Sequence, residues 1–146
     1  MATNLSSLIS NIETQLGTVT ALVSVTTIPL LVDEWLENYQ NGGARHTACH
    51  LGIRGDTDGS AHDTDSGERE VVPFRITVIQ PYNELTLSAC ITLRDAILDA
   101  VYTTAQLDQG GYADITNYVG FGIDESEADF AVWHIDMDCE TSWERS

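Results

Sequence analysis

Two histidines and a cysteine lie close together in the sequence and have side chains that bind zinc. His46, Cys49 and His50 offer imidazole nitrogens and a thiolate, which are common zinc ligands. The alternating pattern of residues 45–54 predicts a strand, on which Cys49 faces away from both histidines. No fourth ligand is evident, so we interpret His46 and His50 as surface histidines. A small metal-dependent enzyme that uses these two histidines is the alternative.

An acidic stretch between two predicted strands offers a second set of metal ligands. Residues 55–70 include Asp56, Asp58, Asp63 and Asp65, whose carboxylates could bind a divalent cation. The pattern resembles part of a calcium-binding loop but lacks the oxygen ligand at the fifth position and the glutamate at the twelfth. The stretch contains no apolar residue larger than alanine, which predicts the solvated tip of an extended acidic β-hairpin. We therefore predict no bound metal and no cofactor.

The motifs of nucleophilic and nucleotide-dependent catalysis do not occur in the sequence. It has no G-x-S-x-G elbow, no phosphate-binding P-loop and no G-x-G-x-x-G motif. Asp136 and Asp138 share one face of a predicted strand, as paired acid–base carboxylates would. A solvated face is the preferred interpretation of this pair. We predict that the chain is not an enzyme and has no catalytic residues.

The large aromatic residues are too numerous to be incidental surface residues. Core packing accounts for some of them, and a subunit interface, where aromatic residues are enriched, accounts for the rest. The candidate interface residues are Trp35, Tyr39, Asp63, Arg69, Trp133 and Trp143.

Charge is the most informative property of the composition. The 146 residues include 23 acidic residues and 6 basic ones, all arginine, for a net charge of −17. Such a charge destabilises a compact state at ordinary ionic strength, whereas at molar salt the Debye length falls to ~3 Å. The composition therefore indicates adaptation to a high-salt cytoplasm, as in halophilic archaea; an ordinary acidic mesophilic protein is the alternative. The same charge argues against direct binding of nucleic acid.

Length and hydropathy predict one domain, at residues 1–146, with no membrane span. A chain of this length is typical of a single domain. No apolar run approaches the ~20 residues that cross a bilayer, and the N-terminus lacks the basic segment of a secretory signal. The three cysteines are odd in number, which favours buried free thiols over a disulfide scaffold.

A strand followed by a long helix forms the predicted centre of the fold. Apolar residues alternate along residues 71–79, which predicts a strand with one buried face. Residues 84–107 repeat apolar residues at three- and four-residue steps, which predicts a helix with Asn83 as its N-cap. The strand at residues 45–54 should pair antiparallel with the central strand.

The flanking segments complete an α+β fold with a mixed, mainly antiparallel sheet. The sheet should pack against an N-terminal helix and the long central helix. The remaining expected elements are a helix at residues 4–16 stopped by Gly17, a strand at 19–28, an ambiguous segment at 30–39, a C-terminal hairpin of strands at 112–123 and 130–140, and a tail at 141–146.

This order of elements resembles the tail terminator and tail-completion (neck) proteins of long-tailed viruses. The resemblance rests on residues 74–79 running into the helix of residues 84–107, and on the closing strand at residues 130–137. It covers most of the chain as a pattern, since these families have no sharp motif, and the acidic tip at residues 55–70 departs from it. Together with the charge, the chain looks like a neck protein of a tailed virus of haloarchaea.

The resemblance implies a structural virion protein that forms a homo-oligomeric, hexameric ring at the head–tail junction. Such a ring terminates the tail tube, contacts the tail tube protein on one face, and joins a connector or stopper on the other. DNA would pass through its lumen without specific binding, and no membrane is involved. The implied location is the virion neck, with the host cytoplasm during assembly. Another connector, stopper or tail tube subunit is the alternative within the virion.

Overall fold

A computed structural model describes residues 5–27, 30–41, 46–54, 61–63, 68–81, 86–102, 109, 113, 115–124 and 130–143. Within these residues the chain forms three helices and a sheet, which confirms the α+β class. The elements are α1 (Leu5–Gly17), β1 (Ser24–Thr26), α2 (Val32–Asn41), β2 (Ala48–Ile53), β3 (Ala61–Asp63), β4 (Glu68–Pro81), α3 (Leu87–Val101), β5 (Ile115–Ile123) and β6 (Phe130–Trp143).

The sheet is mixed and mainly antiparallel, with the strand order β1-β2-β4-β6-β5 and β3 paired to β4 beside this path. Among the described strand pairs, only β1 and β2 are parallel. The two central strands, β4 and β6, pair antiparallel along their whole length, from Glu68 opposite Trp143 to Pro81 opposite Phe130. This pair therefore forms the centre of the sheet.

Period-two alternation along the strands divides the sheet into two faces. One face, the core face, packs against α1 and α3 and carries the apolar set that the alternation predicts. Its fully or nearly fully buried members include Val72, Phe74, Ile76 and Val78 on β4 and Trp133, Ile135, Met137 and Cys139 on β6. The other face, the second face, is partly covered by α2.

The ambiguous segment before Asn41 is a helix, α2. Its apolar side chains at a helical spacing build a separate small core on the second face. The buried members of this core are Trp35, Tyr39, Ala48, Ile79, Phe130 and Val132. The tilted and edge-on ring contacts of Tyr39 with Trp35 and Phe130 pack α2 onto the ends of β4 and β6.

The predicted strand at residues 19–28 is wrong in its first half. Of the described residues 19–27, only Ser24–Thr26 forms a strand, because the preceding residues form a turn in which the Leu22 amide donates to the Val19 carbonyl oxygen. This turn buries both Val19 and Leu22 in the main core. Their spacing of three residues places both on one side of a turn, and this burial overrides the strand propensity of the Val- and Thr-rich sequence.

The central helix is shorter than predicted at both ends. It begins at Leu87, and its N-cap is Thr86, in extended geometry, whose hydroxyl accepts a hydrogen bond from the Ala89 amide at 3.0 Å. The predicted N-cap, Asn83, is therefore wrong for this helix and lies outside the described residues. The helix ends at Val101, whereas the end of α1 at Gly17 is as predicted.

Both predicted hairpins are confirmed, with changes at their ends. β2 pairs antiparallel with β4, from Ala48 opposite Ile79 to Ile53 opposite Phe74. Inside the predicted acidic tip, β3 pairs with the start of β4, while the rest of the tip lies outside the described residues. β5 and β6 form the second hairpin, and β6 runs on to Trp143, so half of the predicted tail belongs to the sheet.

The three thiols are free and buried, as the odd count predicted. Burial raises the pKa of Cys49 to about 12 and that of Cys139 to about 11, and it also raises the pKa of Cys90. They therefore behave as small apolar residues of the core. Among the described helices, none has the length and hydropathy to cross a membrane.

The position of the N-cap can be tested by comparing two substitutions. Thr86→Ala removes the side chain that satisfies the Ala89 amide, and we expect it to lower the free energy of unfolding by about 1 kcal/mol. Asn83→Ala, at the position that the sequence pattern indicates, should have a much smaller effect. Denaturant unfolding of both variants measures the difference, and a larger loss for Asn83→Ala would contradict the assignment.

Candidate functional site

The charged side chains of the second face meet in one place, which we call the ion-pair cluster. Strands β4 and β6 and the ends of β2 and β5 supply its members. The cluster consists of Arg54, Arg75, Asp124, His134, Asp136 and Asp138.

The Arg75–Asp136 pair is set directly by strand register. The two residues are opposite each other in the β4–β6 pairing, and both point to the second face. The Arg75 Nε donates to Asp136 Oδ1 at 2.7 Å, and its Nη2 donates to Oδ2 at 3.0 Å. This two-pronged geometry is the strongest arrangement available to an arginine and a carboxylate.

Arg54 extends the cluster from the end of β2. Its amide donates to the Pro73 carbonyl oxygen at 2.8 Å, which holds the residue beside β4. Its buried guanidinium donates from Nη2 to Asp138, and its Nη1 lies 3.8 Å from Asp136 Oδ2. Asp136 is thus shared by two arginines that come from two different strands.

His134 connects the cluster to the end of β5. Its Nδ1 lies 3.0 Å from both carboxylate oxygens of Asp124, and its Nε2 lies 3.8 Å from Asp136 Oδ2. The Asp124 amide donates to the Val132 carbonyl oxygen at 2.8 Å, which holds the backbone of Asp124 beside β6. The imidazole lies over Gly122, where an added Cβ would come within 2.9 Å of its Cε1.

The sequence interpretation of Asp136 and Asp138 as a solvated face is wrong. Both carboxylates bind arginines, and Asp136 is buried. Alternation along each strand shows that Arg75 and Asp136 lie opposite to the apolar residues of their own strand. Only the register of the β4–β6 pair shows that the two side chains are neighbours on the same face of the sheet. The cluster was therefore not visible from either strand alone.

A small cavity opens beside the cluster, where α2 begins; we call it the α2 pocket. It has a volume of about 170 Å³ and is lined by Leu30, Leu31, Val32, His50, Gly52, Ile53, Arg75 and Thr77. Of its lining residues, Leu30, Leu31 and Ile53 are exposed, whereas His50 and Thr77 are buried.

The two candidate zinc histidines take part in packing around α2. His50 is buried, with its ring 5.4 Å from that of Trp35, so the surface interpretation is wrong for His50. His46 packs edge-on against Tyr39, and its Nε2 lies 3.4 Å from Ser24 Oγ. Cys49 lies in the main core, on the face away from the histidines, as predicted.

The remaining metal candidates are only partly covered by the structure. Asp56, Asp58 and Asp65 lie outside the described residues, and of Asp63 only the backbone, paired with Glu68, is described. Within the described residues, no group of three or more His, Cys, Asp or Glu side chains is arranged to hold a metal ion.

The three candidate interface aromatics whose side chains are described are packed inside the subunit. Trp133 is fully buried, and its Nε1 donates to Gln80 Oε1 at 2.7 Å, so it has no surface to contribute to an interface. Trp35 and Tyr39 are nearly as buried, in the core beneath α2. The other candidates are described by backbone alone: Asp63 lies in β3, Arg69 opposite Ser142, and Trp143 opposite Glu68.

The ion-pair cluster is best suited to an electrostatic role. Its charged groups face one another across four strands, and both His134 nitrogens are directed at carboxylates of the cluster itself. Buried pairs are screened by salt much less than surface pairs, so the attraction within the cluster persists at salt concentrations that screen the interactions between surface charges.

Searches of protein-family models and of curated proteins give no match for this chain.

The contribution of the cluster can be measured with Asp136→Asn. This change leaves two arginines without their shared carboxylate, and we expect it to lower the free energy of unfolding by roughly 3 kcal/mol. The matched control is Asp95→Asn, which breaks the Arg94–Asp95 pair. The side chain of Asp95 is 58% exposed, against 12% for Asp136, and the control should cost under about 1 kcal/mol. Denaturant unfolding in molar potassium chloride is the measurement, and equal losses would refute a special role for the cluster.

The position of His134 can be tested with two glycine substitutions on β5. Gly122→Ala places a methyl group against the imidazole and should displace it from Asp124, at a cost of roughly 1–3 kcal/mol. Gly120→Ala is the control, because its added Cβ has no neighbour within 4 Å. Unfolding measurements and the His134 imidazole resonances in NMR spectra report the two effects. A cost for Gly120→Ala as large as that for Gly122→Ala would contradict the described ring position.

Proposed function

We propose that this chain is a structural virion protein that forms a hexameric ring at the head–tail junction of a long-tailed virus. The ring terminates the tail tube and joins it to the connector or stopper, and the host is a halophilic archaeon. The observation that carries the proposal is the ribbon of β4 and β6. Its two strands are the longest of the described strands, and one end of the ribbon extends past the pairing with β2 and β5.

One end of the long β4–β6 ribbon, with β3 beside it, forms what we call the arm. Each strand has 14 residues and so spans about 45 Å, whereas an ordinary strand has about 5–6 residues. Residues 68–70 and 141–143 pair with each other beyond the ends of β2 and β5, and β3 joins them as a third strand. Residues 61–63 and 68–70 of the arm belong to the acidic stretch at residues 55–70. An extension of this kind suits contact with a neighbouring subunit or with the next ring.

The order of elements supports the same proposal. An N-terminal helix, a short strand and a second helix precede the β2–β4 hairpin, and the long helix and the β5–β6 hairpin follow it. This is the order on which the resemblance to neck proteins rests. Copies of such a subunit can be joined head to tail through two unlike surfaces. They form a closed ring when the rotations between successive copies add up to a full turn.

The charge is consistent with a channel that DNA crosses without binding. A net charge of −17 gives the phosphate backbone no basic surface on which to displace counterions. Like charges also repel DNA from a lumen wall. In this proposal the tail tube protein lies on one face of the ring, the connector or stopper lies on the other, and the protein performs no catalysis.

The test is electron microscopy of the purified chain in molar potassium chloride. We expect closed rings with six-fold symmetry, which dissociate when the salt is removed because the repulsion between acidic copies is no longer screened. Rings with another subunit number would favour a connector or stopper subunit, and open-ended tubes would favour a tail tube subunit. A chain that stays monomeric in high salt at high concentration would refute the proposal.

A further inference from the structure

We draw no further inference here: the strongest candidate, the patch of exposed apolar side chains that Leu30, Leu31 and Ile53 form at the α2 pocket, carries none because nothing in the described part of the structure shows what covers it.

Discussion

The antiparallel pairing of β4 with β6 is the constraint on which the rest of the structure depends. Because the two strands are paired along their whole length, every residue on one has a fixed partner on the other. The main apolar set falls on the core face, where α1 and α3 cover it, and Arg75, Asp136 and Asp138 fall on the second face. The main core, the ion-pair cluster and the arm all depend on this single register.

The distribution of arginine explains how so acidic a chain can hold a stable sheet. The chain has six arginines, and two of them, Arg54 and Arg75, bind aspartates on the second face instead of balancing charge at the surface. Surface repulsion is removed by concentrated salt, whereas a buried pair keeps most of its attraction in the same salt. The exposed acidic groups and the paired internal ones thus respond to salt in different ways, and together they suit a concentrated saline environment.

Much of the fold could be predicted from the sequence because strand alternation is a local property. The alternating apolar residues of β2, β4 and β6 identified the strands, the hairpins and the buried face. What could not be predicted depends on contacts between distant parts of the chain. Thr86 caps α3 in place of Asn83, and the Val19–Leu22 turn replaces half of a strand, because tertiary packing decided between local alternatives. The Arg75–Asp136 pair joins two strands 61 positions apart, and no periodic pattern within either strand carries that information.

The two-faced sheet also limits where this protein can change length during evolution. An insertion of one residue in β4 or β6 would move every later side chain to the opposite face, so that Arg75 or Asp136 would enter the core and its aliphatic neighbours would enter the charged layer. Both strands have partners on each side, which leaves no room for such a shift. The one extra residue that the described sheet does contain, Val119, is a bulge in the outermost strand between Tyr118 and Gly120, where a single neighbouring strand absorbs it. Homologues of this chain should therefore differ in length at edges and turns, and should keep an unbroken residue count through the two central strands.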